Sequence, residues 1–183
     1  MIGNDIVDLA NTSNWQRKGF LQKIFTFDEH KQIFRSQDPN TTVWQMWSMK
    51  EAAYKAISRT NRNIPFNPKL FLCKKNGNNA TVTYLDKVLY IKSELTGDYV
   101  HSIACADPEY FNNITTYLLD YTLDYVKKFN SKKSSFKLKK DIEGIPYILD
   151  KRTGQSIPAS ISHHGRYLAV VYLLMLHIPN SGD

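Results

Sequence analysis

The segment Trp44-Gln-Met-Trp47-Ser-Met-Lys50-Glu51-Ala-Ala-Tyr54-Lys55-Ala56 sets three charges inside an otherwise apolar, Ala-rich and aromatic run. Helix formers fill its middle, and Thr41 or Thr42 stands where a cap is needed, so a helix is expected to run to about Arg59. At about 3.6 residues per turn Glu51 and Lys55 share one face, one turn apart, while Lys50 lies about 100° round from Glu51. Such a pair reads either as a surface salt bridge on an amphipathic helix or as part of a site. A second acidic cluster, at the N-terminus, offers Glu51 a partner.

That cluster is Ile2-Gly-Asn-Asp5-Ile-Val-Asp8-Leu9, a short apolar run that reads as a strand. In period two, Gly3, Asp5 and Val7 face one side and Ile2, Asn4 and Ile6 the other. An uncompensated carboxylate beside Val7 is costly, so Asp5 needs a hydrogen-bonding or metal partner. Asp8 falls at the strand end, where a turn or cap explains it.

Two helices are expected between about Asn14 and Arg35, with Thr26-Phe-Asp-Glu29 as a capping box. Strands are expected at Lys69–Lys74, Ala80–Tyr84, Val88–Glu94 and Val100–Ala106, with a turn at Asn76–Asn79. Asn113–Phe129 carries apolar residues that predict a helix. Phe136–Lys140, Ile145–Leu149 and Tyr167–Leu176 read as strands, and Ser160-Ile-Ser162-His163-His164-Gly165-Arg166 as a polar, strand-entering turn. Each half thus has a helical region and several strands. This order predicts an α+β fold of two similar lobes, residues 1–108 and 109–183, each a mixed sheet with helices.

With 183 residues, 42 % hydrophobic and 13 % aromatic, the chain has the composition of a folded protein. No apolar run approaches the roughly 20 residues of a membrane helix, and no secretion signal precedes the first strand, so a soluble cytoplasmic protein without a membrane partner is expected. Cys73 and Cys105 fit no metal or disulfide pattern and read as reduced core residues. The net charge of +7 matches the seven lysines between Val126 and Lys140, a stretch without acids. It suits an acidic partner protein or an anionic cofactor, or is simply a solvated face. Nucleic acid is not expected, because aromatics are not interleaved with the lysines.

Two convergent carboxylates, Asp5 and Glu51, suit a hard divalent cation whose shell is completed by water and phosphate oxygens. The Ser160–Arg166 cluster offers hydroxyls, imidazoles and a guanidinium to a phosphate, or is an ordinary loop. Neither a nucleophile elbow nor a phosphate-binding glycine loop of the known types is present.

Together these pieces resemble the 4′-phosphopantetheinyl transferase superfamily. Gly3-Asn-Asp5-Ile6 is similar to its Gly-x-Asp-Ile strand motif. Trp47-Ser-Met-Lys50-Glu51-Ala-Ala-Tyr-Lys55 is similar to its Trp-x-x-Lys-Glu helix motif. Ser160-Ile-Ser162-His163 resembles its Ser-x-Ser-His segment, preceded by Gly144-Ile145-Pro146 for a Gly-x-Pro element. The resemblance implies Mg²⁺-dependent transfer of 4′-phosphopantetheine from coenzyme A to a serine of an acyl or peptidyl carrier protein, the holo-acyl-carrier-protein synthase activity. It implies a pseudo-dimeric monomer rather than a trimer, with its lobes in the reverse of the order usual for the larger two-lobed members, a circular permutation.

By the same resemblance Asp5 and Glu51 hold the metal. Glu51 and Lys55 are catalytic, Glu51 as base or orienter of the carrier serine and Lys55 on the transferred phosphate. Lys50, Lys55, Ser162, His163 and Arg166 contact the coenzyme. Two positions depart from the pattern: Val7 stands where the larger members carry a third acid, and Ile145 where a phosphate-binding lysine is common, with Lys139, Lys140 or Arg152 as substitutes. These departures leave a second reading, an impaired member that binds carriers without modifying them.

Overall fold

The protein, a computed structural model, is described for residues 1–76 and 79–174. The first strand pairs with one from the middle of the chain: β1 (Ile2–Asp8) runs antiparallel to β5 (Tyr99–Cys105), Asp5 opposite Ser102. Three further strands, β2 (Phe71–Asn76), β3 (Asn79–Tyr84) and β4 (Lys87–Leu95), complete a sheet of order β1-β5-β4-β3-β2. The second sheet uses β6 (Ile114–Asp120), β7 (Phe136–Lys140), β8 (Pro146–Asp150), β9 (Ser156–His164) and β10 (Tyr167–Leu173) in the order β6-β10-β9-β8-β7. The two orders are the same topology written twice. Helices occupy the same place in each: α1 (Phe20–Ile24), α2 (Phe27–Arg35) and α3 (Pro39–Ser58) between the first two strands of one lobe, α4 (Tyr125–Ser131) between those of the other.

The architecture is α+β with two similar lobes, and both sheets are antiparallel rather than mixed. Short connections impose this on the consecutive pairs β2 to β5 and β7 to β10, since tight turns join only antiparallel neighbours. The helix expected over Asn113–Phe129 is a correction. Its first part is strand β6, where Ile114, Thr115, Thr116 and Tyr117 are β-branched or aromatic and pair with β10. Helix begins only at Tyr125. Ser160–His164 is likewise strand, not turn; only Gly165 and Arg166 turn the chain. The expected turn at Asn76–Asn79 and the end of the last strand at Met175–Leu176 include residues outside those described.

Helix α3 is longer than the sequence suggested and starts earlier. Asp38 caps it by accepting from the Thr41 amide, and Pro39 occupies the first turn, where a missing N–H costs nothing. Val43, Met46, Met49, Ala52, Ala53, Ala56 and Ile57 are fully buried along the helix, in the core beneath the first sheet. Small residues let it lie close. A Cβ on Gly3 would collide with the backbone of Ala52 and Ala56, so glycine in β1 fixes the helix-to-strand distance. Gly3→Ala should therefore destabilise the protein by about 2 kcal/mol by forcing helix and strand apart, measured by thermal unfolding. An unchanged melting temperature would show that the contact is not tight.

The lobes meet along β1. One edge of this strand pairs with β5; on its other edge the amides of Asn4, Ile6 and Asp8 donate to Ser160 Oγ (2.9 Å), Ser162 Oγ (3.1 Å) and His164 Nδ1 (3.0 Å). Alternate side chains of β9 thus replace a sheet ladder and satisfy an edge that would otherwise be bare. Ile2, Ile103, Val171 and Leu173 form an apolar seam between the lobes. No helix among the described residues is long and apolar enough to cross a membrane.

Candidate active site

Asp5 projects from β1 toward α3, as the period-two pattern requires. Its Oδ1 accepts from Lys55 Nζ at 2.9 Å and from Ser162 Oγ at 2.8 Å, and Lys55 also reaches Ser162 Oγ at 3.1 Å. Strand, helix and opposite lobe therefore converge on one carboxylate. Ser48, one turn before Glu51 and Ala52 on α3, donates to the Asp5 carbonyl at 3.0 Å and ties the helix to the strand. Around this cluster lies a cavity of about 380 Å³ lined by Asp5, Glu51, Lys55, Trp47, Ser162 and His163, among others.

Glu51 faces this cavity in a poor setting for a charge. Burial first, and then the charge of Asp5, push its carboxyl up to about 7, against a smaller opposing pull from Lys55. Two like charges held at one cavity invite a counter-cation. The donor set fits a divalent ion that takes two carboxylates and fills its shell with water and phosphate oxygens. No group of three or more acidic, histidine or cysteine ligands occurs among the described residues. Val7 lines the cavity but its side chain brings no oxygen.

His163 lies on the lobe opposite Asp5. Its ring stacks on Tyr121 with centroids 4.2 Å apart and planes 12° apart. Its pKa is lowered, chiefly by burial and then by the charges of Lys55, Lys140 and His164. That density of positive potential favours an anion beside it. Lys140 also lies over the Tyr125 ring, 5.8 Å from its centroid.

Two of the sequence-predicted residues point elsewhere. Lys50 is fully buried, its ammonium 2.8 and 2.9 Å from the Glu29 carboxylate and within 2.9 Å of the Pro68 and Phe71 carbonyls. Its expected contact with the coenzyme has no geometric support, because about 100° of helix turn carries it from the cleft into the core. Arg166 clasps Asp8, donating from Nε to Oδ2 (2.9 Å) and from a terminal nitrogen to Oδ1 (2.8 Å). It locks the lobes rather than lining the cleft.

That clasp has a consequence for acid stability. Asp8 is inaccessible to solvent, and Arg166 holds its carboxyl well below the usual carboxylate range. A depressed folded-state value means stability is fully present above the unfolded value near 4 and is lost as pH falls below it. Asp8→Asn should lower the melting temperature at pH 7 and, between pH 4 and 2, lose less further stability than the parent. Parallel acid profiles would show that the clasp does not hold the lobes.

Among the substitutes for a lysine at Ile145, Arg152 is occupied by Asp150, 2.9 Å away. Sequence reasoning missed Arg59 and Arg62. They follow Lys55 by one and two turns, and with Lys55, Ser58, Gly144 and Pro146 they line a separate cavity of about 330 Å³. Arg59 bonds the Pro146 and Ala159 carbonyls, and Arg62 pairs with Glu143. Their spacing from Lys55 was the available signal.

A family model described as the 4′-phosphopantetheinyl transferase superfamily matches residues 1–104, the span that holds Asp5, Lys50, Glu51 and Lys55. No curated protein sequence matches the chain. Among solved structures the chain is similar to the holo-(acyl-carrier-protein) synthase of Thermotoga maritima, with 9 % sequence identity and a TM-score of 0.45 over 85 % of this chain and 83 % of that one. A match across more than half of the 183 residues settles the grouping: the chain belongs to the 4′-phosphopantetheinyl transferase superfamily.

Proposed function

We propose that the protein transfers 4′-phosphopantetheine from coenzyme A to a serine hydroxyl of an acyl or peptidyl carrier protein, with Mg²⁺ as the metal. The observation that carries this reading is the cross-lobe meeting of Asp5, Lys55 and Ser162 beside a half-buried Glu51. In the reaction the serine oxygen bonds to the phosphorus bearing the pantetheine arm, and the bond to 3′,5′-ADP breaks. The metal, held by Asp5 and Glu51, would offset charge on the pyrophosphate. Lys55 places its ammonium on the transferred phosphate. Glu51, raised to about 7, is suited to take the serine proton near neutral pH, directly or through a water. His163 and the Arg59–Arg62 pair offer donors to the phosphorylated nucleotide.

Because Ser162 and His163 come from the same chain as Glu51, one copy supplies both walls of the cleft. A monomer is the corresponding expectation, with the lobes in permuted order. Carrier proteins are generally acidic, and the Lys127–Lys140 segment, on α4 and β7, would steer one inward.

The test is to incubate the protein with coenzyme A, Mg²⁺ and a panel of apo carrier proteins and to weigh the carriers. A mass increase of one phosphopantetheine is expected. Among the described residues no third acidic, histidine or cysteine side chain joins Asp5 and Glu51 in a metal-binding group, which favours a second reading, a carrier-binding module without activity; binding without any mass increase would select it.

A further inference from the structure

Ser162 stands on β9, in the second lobe, yet the bonding capacity of its hydroxyl is taken up entirely by the first. A serine hydroxyl has one proton to donate and two lone pairs to accept with. Here the proton goes to Asp5 Oδ1 at 2.8 Å, while the lone pairs take the Ile6 amide at 3.1 Å and Lys55 Nζ at 3.1 Å. The residue is buried, and nothing is left on its hydroxyl for a ligand. The same contacts fix two groups of the cavity. Asp5 Oδ1 accepts from both Ser162 and Lys55, and among the described residues no hydrogen bond engages the second oxygen, Oδ2. Asp5 and Ser162 occupy two of the three N–H groups of the Lys55 ammonium. One oxygen and one N–H therefore stay available, both on groups that line the cavity with Glu51. Ser160, two residues earlier on β9, makes the matching bond to the Asn4 amide at 2.9 Å and is equally buried. Among the described residues it has no hydrogen bond to Asp5 or Lys55.

We propose that Ser162 is a positioning residue for the divalent cation: it holds Asp5 so that Oδ2 is the oxygen presented to the ion, and it keeps Lys55 to one side of that carboxylate. The inference rests on the transfer reading, and it takes the Ser162 hydroxyl away from the coenzyme contact that the family resemblance implies. The physical reason lies in what the hydroxyl prevents. A carboxylate can rotate about its last bond, and an unrestrained ammonium can bridge both of its oxygens, competing with the metal as a counter-cation. A hydroxyl that donates to one oxygen and accepts from the ammonium blocks both motions. Removing such a support behind a metal ligand typically weakens metal binding by about 10–100-fold. Because Ser162 belongs to the lobe opposite Asp5, the metal pair is held in place only when the two lobes are seated against each other.

The test titrates Mn²⁺, which takes the same carboxylate and water ligands as Mg²⁺, into the coenzyme-free protein and reads the free ion by electron paramagnetic resonance. Ser162→Ala should weaken Mn²⁺ binding at least about tenfold. Ser160→Ala removes an equivalent bond between the lobes but not the link to Asp5, and should stay within about twofold of the parent. Metal-free binding of 3′,5′-ADP, followed by calorimetry, should also stay within about twofold in Ser162→Ala. Melting temperatures are recorded for each variant. If Ser162→Ala does not fold, Ser162→Cys, close in size and only a weak donor, replaces it with the same direction of effect expected. Unchanged Mn²⁺ affinity in the Ser162 variant, with carriers still modified by the wild type, would overturn the positioning role and leave the transfer reading standing. Equal loss of Mn²⁺ binding in both serine variants would overturn it by tracing the effect to lobe packing. Weakened 3′,5′-ADP with unchanged Mn²⁺ would overturn it by returning Ser162 to the coenzyme. A wild type that binds no Mn²⁺ and modifies no carrier would overturn both readings.

Discussion

Glu51→Gln should abolish carrier modification, lowering the rate by about a thousandfold or more, while the protein stays folded. The substitution keeps the shape of the side chain and removes both the negative charge and the proton acceptor. Its effect on stability should run the other way. Folding raises the Glu51 carboxyl from 4.5 to about 7, so the folded state binds this proton more tightly than the unfolded state. Between pH 4.5 and about 7 that linkage makes the parent less stable as pH rises, by up to roughly 3 kcal/mol in the absence of metal. Above pH 7 the metal-free glutamine variant should therefore melt at the same temperature as the parent or higher. Adding Mg²⁺ at pH 8 should stabilise the parent and leave the variant nearly unmoved. Near-normal turnover by Glu51→Gln would remove Glu51 from the chemistry.

Lys50→Met should be the most damaging single change to the fold. The lysine and Glu29 are both inaccessible, and the carboxylate also accepts from the amides of Thr26 (2.8 Å) and Cys73 (2.9 Å). One ion pair thereby fastens the start of α2, the middle of α3 and the edge strand β2. Removing one partner leaves a buried charge without compensation, which costs about 3–5 kcal/mol. At the usual scaling for a chain of this length, that lowers the melting temperature by about 10 °C. Lys50→Met combined with Glu29→Gln should recover part of the loss, since it removes the uncompensated charge, while the amide oxygen can still accept from only one of the two backbone N–H groups. Below its melting transition Lys50→Met should retain turnover within a few-fold of the parent. Lost transfer at unchanged stability would return Lys50 to the cleft.

These two neighbours show how far the sequence reached. The Gly3-x-Asp5 strand and the Glu51–Lys55 face follow from periods of two and about 3.6, so their directions could be read without coordinates. The same arithmetic put Lys50 on a different side of the helix. It could not say that Glu29 waits there, because that contact joins residues 21 apart in sequence and needs α2 folded against α3. Arg166 was misplaced for a similar reason. An arginine after Ser-His-His suits a phosphate, but Asp8, 158 residues away, claims it first.

Local pattern also settled the capping box at Thr26 and Glu29 and the two buried, unpaired cysteines. It failed over Asn113–Phe129, where alternating and helical spacings overlap and only the free edge of β10 chose strand. The sequence by itself singled out the candidate groups: Asp5, Glu51, Lys55, Ser162 and His163 stand out by type, spacing and resemblance to the family's motifs. Tertiary structure alone decided which of them meet. A strand edge whose amides need acceptors draws Ser160, Ser162 and His164 onto β1, and a glycine lets α3 close on the same strand. Both are long-range packing events, set by hydrogen bonds that must be satisfied and by space that only a missing side chain leaves.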